Sequence, residues 1–185
     1  ESLVCDTLNN IYLAGEFRDT VDFDPGVTTY TIGAIGNDIF VLKLNSAGNF
    51  VWAKQMKGSS NMLGGINNVY SITTDKASNV YTTGMFRDTV DFDPSISTYS
   101  LISNGPFDAF VSKLDVNGNF IWAKDVGGYT YELNFDLNQD LFLLGNFDNA
   151  NIDFDPGVSF YTLAANSTDG RFVTKLDSSA NFLWA

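Results

Sequence analysis

Hydrophobic and polar positions alternate along this chain in short runs, and the same runs return at intervals of about 60–70 residues. Each turn of the pattern predicts four strands, here labelled a to d. Strand a spans Ser2 to Cys5, with Val69 to Thr73 and Tyr131 to Phe135 as its copies. Strand b spans Ile11 to Phe17, then Val80 to Phe86 and Leu141 to Phe147. Strand c runs from Asp38 to Leu44, from Asp108 to Leu114 and from Gly170 to Leu176. Strand d runs from Asn49 to Lys54, from Asn119 to Lys124 and from Asn181 to Ala185. Strands b and c carry apolar residues on both alternations, as a sheet covered on both faces requires. No stretch shows helical periodicity with caps. The pattern predicts an all-β fold of three four-stranded antiparallel repeats.

The connections carry their own chemistry. Turns headed by Asp6, Asp75 and Asp136 join strands a and b, since such side chains cap their own backbone. Asn117-Gly118 between c and d is a hairpin signal. Gly15, Gly84 and Gly145 recur inside strand b and predict a bulge or a close backbone approach. The longer b–c connection holds Phe17 to Pro25, repeated letter for letter at Phe86 to Pro94 and loosely at Phe147 to Pro156. The d–a connections vary most, and Asn61, Met62 and Leu63 in the long one are candidate partner contacts.

Repeats of this length and strand number fit β-propeller blades, divided here as 1–56, 57–128 with its leading loop, and 129–185. The recurring Phe and Trp residues are then packing between blades rather than a sugar platform. Three blades fall short of the four to eight of closed propellers, so further blades are expected from the same or another chain. The chain reads as a segment of a longer protein.

The runs F-x-x-T-V-D-F-D-P, D-x-F-V-x-K-L-D-x-x-G-N-F-x-W-A-K and T-D-x-x-x-N-V-Y-x-x-G resemble the bacterial SBBP-type β-propeller repeat. The second unit fits nearly throughout and the first from Asp6 onward, while the third departs at Tyr131 to Phe135 and at Asn146 to Asn149. The resemblance implies a secreted or cell-surface bacterial protein, often of Bacteroidetes.

Composition narrows function mostly by exclusion. A net charge of −12 argues against phosphate-backbone binding, and no apolar run reaches the length of a membrane helix. The absence of histidine removes the usual general base and most zinc sites. Cys5, the single cysteine, precludes an intrachain disulfide and is expected to be a small buried side chain.

The paired carboxylates of the Asp-Phe-Asp-Pro element are the candidate chemistry: Asp22 with Asp24, Asp91 with Asp93, and Asp153 with Asp155. In extended chain, residues two apart point the same way. Close like charges call for a cation. Ca²⁺ would serve, but pairing with the repeat-locked Lys43, Lys113 and Lys175 is preferred. The resulting expectation is a non-catalytic scaffold, extracellular or at the cell surface, that binds a protein or glycan and neither binds nucleic acid nor inserts into a membrane. A building block of a larger assembly or fibre, and a carbohydrate-active enzyme using carboxylates, are the alternatives.

Overall fold

A computed structural model describes residues 1–59, 67–147, 152–163 and 170–185. Every helix or strand element among them is a strand. The first unit contributes β1 (Ser2–Cys5), β2 (Ile11–Phe17), β3 (Thr20–Asp22), β4 (Thr31–Gly33), β5 (Asp38–Leu44) and β6 (Phe50–Gly58). The second contributes β7 (Asn68–Thr74), β8 (Val80–Phe86), β9 (Thr89–Asp91), β10 (Ser100–Ile102), β11 (Asp108–Leu114) and β12 (Phe120–Val126). In the third are β13 (Tyr129–Phe135), β14 (Leu141–Phe147), β15 (Gly170–Leu176) and β16 (Phe182–Trp184). Strands b and c fall where the alternation placed them in all three units, and each unit forms a four-stranded antiparallel a-b-c-d sheet.

The innermost strands of neighbouring units lie against one another, β1 with β7 and β7 with β13, so the sheets stack as propeller-like blades. Two apolar seams result. The first buries Tyr12, Ala14 and Val41 against Val69, Ile72 and Val80. The second buries Tyr81, Ala109 and Val111 against Leu133, Leu141 and Leu143. Burial of such side chains from both sheets contributes on the order of 2 kcal/mol each, which is why b and c read as apolar throughout.

Both hairpins of every unit close with one turn. Asp6 Oδ1 accepts from the amides of Leu8 and Asn10 at 2.9 Å, and Asp6 Oδ2 accepts from Asn10 Nδ2. Asp75, Asp115 and Asp177 repeat the arrangement. The fourth residue of these turns has positive φ, from 60° at Asn9 to 80° at Gly48. This explains Gly118 after Asn117: a glycine meets the left-handed conformation without a Cβ penalty.

Gly84 and Gly145 in strand b face a bulge in strand a. Registry between β7 and β8 shifts at Val69/Ser71, leaving Tyr70 as the extra residue. A Cβ on Gly84 would stand 1.8 Å from the Asn68 carbonyl oxygen. Only glycine fits there.

Two expectations need correction. Cys5 is exposed, because it shares with Leu3 the face of β1 that none of the described residues of the other units covers. The three tryptophans are not equivalent either. Trp52 and Trp122 pack onto the two seams, whereas Trp184 is 46% exposed on the outer side of the third blade.

Candidate functional site

The b–c connection is not a plain loop. In the first two units it folds into a two-stranded ribbon, β3 with β4 and β9 with β10, and the Asp-Phe-Asp-Pro element turns its tip. The phenylalanine between the two aspartates points inward. Phe23 lies 5.2 Å from Phe17 and 5.0 Å from Phe40, ring centroid to centroid. Phe92 repeats this with Phe86 and Phe110, and Phe154 with Phe147 and Phe172. Alternation across an extended chain then sends both flanking carboxylates outward.

These carboxylates fasten the ribbon tip. Asp22 Oδ1 accepts from the amides of Asp24 (3.1 Å) and Tyr30 (2.8 Å). Asp91 does the same with Asp93 and Tyr99, and Asp153 with Asp155 and Tyr161. The second aspartate of each pair caps the turn after it: Asp24 takes the Gly26 amide, Asp93 that of Ser95, and Asp155 that of Gly157. Thr28 also donates its hydroxyl to Asp24. In every pair Oδ1 of both residues is engaged by backbone. Among the described residues, no group of three or more acidic, histidine or cysteine side chains is gathered as a metal cage.

The strand lysines do not meet these carboxylates, which corrects the expected pairing of Lys43, Lys113 and Lys175 with them. Register gives the reason. Lys43 stands opposite Tyr12 at the start of β2, while Asp22 and Asp24 follow its end at Phe17. Five residues of strand separate the two places, roughly 16 Å. The lysines serve the opposite end of the blade instead. Lys43 Nζ donates to Val116 O of the next unit at 3.1 Å and lies over the Tyr12 ring. Lys113 lies over Tyr81, donates to Ser178 O and approaches Asp75 at 3.9 Å. Lys175 turns to Asp136 (3.0 Å) and Asp140 (2.8 Å). Burial pulls Lys43 and Lys113 below the ordinary lysine range, partly countered by Asp6 and Asp115 for the first and Asp75 for the second. Burial also opposes ionisation of Asp6, yet Asn10 and the turn amides outweigh it and hold its carboxyl at about 2.

One place breaks the threefold regularity. Where the second blade meets the third, a cleft of about 610 Å³ opens between segments around residues 104–108, 125–129 and 152–157. Asp108, Asp125, Asp153 and Asp155 line it. At the matching seam between the first and second blades, Gln55 donates to Asp38 at 2.6 Å, and Lys57 pairs in register with Asp91. The second unit has Asp125 and Gly127 at those two positions. Burial, then Asp108, then Asp153 push the Asp125 carboxyl well above the usual carboxylate range. Asp108 and Asp125 were not among the sequence candidates. The signal that marks them is the change of charge between otherwise matching units, Gln55 to Asp125 and Lys57 to Gly127.

The ribbon tips carry a second feature that the sequence reading passed over. Val27, Ile96 and Val158 occupy the same position in the three tips, and all are fully exposed. Asn61, Met62 and Leu63, the candidate contacts of the long d–a connection, lie outside the described residues.

No family model matches the chain, so the expected match to SBBP-type repeats is not found there. The chain is similar to an uncharacterized WD repeat-containing protein of Acanthamoeba polyphaga mimivirus, 26% identical over 211 residues. That match covers 97% of this chain and 15% of the relative, so the chain spans a small part of that protein's length. Together with the stacked four-stranded sheets, this makes the chain a β-propeller-like repeat protein.

Proposed function

We propose that the chain is a run of three β-propeller blades, divided 1–56, 57–128 and 129–185, that acts as a non-catalytic scaffold. Its role is to hold a protein partner at the rim formed by the ribbon tips. The observation that carries this reading is the row Val27, Ile96 and Val158. An isolated exposed aliphatic residue is ordinary, but the same position exposed in each of three repeats forms a periodic apolar edge. Asp24, Asp93 and Asp155 stand beside these residues, so the rim suits a surface with apolar spots and basic groups. A glycan is the weaker fit, because the repeating phenylalanine triads that could stack on sugars are packed inside the blades. The SBBP-like motifs support a secreted or cell-surface bacterial setting for this scaffold.

The test compares the wild-type chain with Val27→Asp/Ile96→Asp/Val158→Asp on arrays of extracellular bacterial proteins and of glycans. Loss of protein ligands from the variant, with its melting temperature unchanged, supports the rim. Ligands retained by the variant place the partner elsewhere, and glycans bound equally by both proteins overturn the assignment.

A further inference from the structure

The two internal seams carry the same acidic corner with different partners. At the first, Asp38 accepts from the Gly58 amide at 2.8 Å and from Gln55, while Lys57 sets a positive charge against it. Lys57 and Gly58 also pair with Asp91 and Val90, which ties the ribbon of the second unit to the end of β6. At the second seam Asp108 stands where Asp38 does, but Asp125 replaces Gln55 and Gly127 replaces Lys57. A Cβ on Gly127 would lie 2.2 Å from the Asp153 carbonyl oxygen, so no side chain returns a base to that position without moving the third unit's segment 152–163. No lysine or arginine occurs between Lys124 and Arg171. The cleft is walled by carboxylates, with no basic residue in its described lining.

Backbone amides occupy one oxygen on three of these carboxylates: Asn104 donates to Asp108, Tyr161 to Asp153 and Gly157 to Asp155. Among the described residues no backbone amide donates to Asp125. It faces Asp108 from β11 and Asp153 from the third unit, with Asp155 and Tyr129 further along the wall. Lys124, beside it in β12, pairs with Val111 and so alternates to the other face, and Arg87 turns to Asp88.

We propose that a proton held by Asp125 latches segment 152–163 of the third unit to the second blade, and that its loss releases this segment while the ribbon of the second unit stays in place. With the proton, Asp125 presents a donor to a neighbouring carboxylate, as Gln55 does to Asp38. Without it, three charges converge on a half-buried cleft and push its walls apart, and one of those walls is the segment itself. Burial first, then Asp108 and Asp153, hold Asp125 above its unfolded value of about 4, so the latch is complete below that value and fades as pH rises through the raised one. Burial raises Asp38 as well, but the Gly58 amide, Gln55 and Lys57 receive its charge. Val158 lies on the released segment, so a rise in pH takes one of the three rim positions out of line with the others. The latch itself does not depend on the rim reading.

The test is hydrogen exchange of the whole chain, read by mass spectrometry at about pH 5 and about pH 8 and corrected for the intrinsic change in exchange rate. Peptides spanning 152–163 and 90–102 compare the two ribbons in one sample. Protection of 152–163 is expected to fall about tenfold or more between the two values, with that of 90–102 unchanged. Asp125→Asn should keep 152–163 protected at both. Asp108→Asn, which removes the facing carboxylate, should do likewise. The proposal is overturned if both wild-type ribbons lose protection in parallel, if 152–163 does not respond to pH, or if the variants still lose it on the alkaline side. No partner is present in this experiment, so failure of the rim reading leaves its outcome untouched.

Discussion

Asp125 faces Asp108 across the cleft at the second seam, where the corresponding residue of the first seam, Gln55, donates to Asp38. An amide satisfies a carboxylate without a proton. A second carboxylate in a half-buried cleft must keep one. Burial and the charges of Asp108 and Asp153 therefore raise the Asp125 pKa above its unfolded value of about 4. The stability this group contributes is complete below that unfolded value and is lost as pH rises through the raised one. Asp6, Asp115, Asp136 and Asp177 are shifted down, so their contribution is present above about pH 4 and lost as pH falls. Thermal melting against pH should peak in mildly acidic solution. Asp125→Asn should raise stability at neutral pH by about 1 kcal/mol and flatten the alkaline side. An unchanged profile would show that Asp125 ionises freely.

Gly84→Ala should cost about 2–3 kcal/mol, because the new methyl group would stand 1.8 Å from backbone at Asn68. At Gly15 the nearest obstacle is the Glu1 side chain at 2.9 Å, which can swing away. Gly15→Ala should cost distinctly less. Denaturant unfolding of the two variants side by side checks the order, and equal losses would mean that the bulge at Tyr70 relaxes to admit the methyl group.

Asp91→Ala removes the acceptor for the amides of Asp93 and Tyr99. The expected loss is about 1–3 kcal/mol, and Asp91→Asn, which keeps one oxygen, should lose less. Because these oxygens already hold amides, a calcium chelator should leave the wild-type melting temperature where it was. A fall of several degrees on chelation would make the Asp-Phe-Asp-Pro carboxylates cation ligands as well as turn caps.

Trp122 separates packing from hydrogen bonding. Its ring packs onto the second seam, but Nε1 is buried without a partner among the described residues, unlike Trp52 Nε1. Trp122→Phe should cost little, since it keeps much of the ring and deletes the orphaned donor. Trp122→Ala should cost about 3 kcal/mol. Equal losses from both would show that the indole nitrogen finds a partner in solution.

Much of the fold was legible because period-2 alternation and turn residues are local signals. The Asp6, Asp75 and Asp136 turns, the strand b and c boundaries and the close approach at Gly84 all follow from them. The partners of Lys43, Lys113 and Lys175 were not legible. Knowing that a lysine and a carboxylate recur does not say at which end of a strand each stands; register does. Cys5 was misjudged for a related reason, since burial in a stack depends on the neighbouring unit rather than on the residue itself. Asp125 escaped notice because regularity drew attention to what the units share, and the cleft lies where they differ.

The ribbon of the second unit has one further effect. Its strand β9 pairs with the far end of β6 through Lys57 and Gly58 and extends the first sheet to six strands. An uncovered strand edge is a template for pairing with stray chains, and here the second repeat shields part of the edge of the first. A repeat that keeps this ribbon seals its predecessor when it is added to an array, so duplication of the second unit would lengthen the stack without adding a sticky margin.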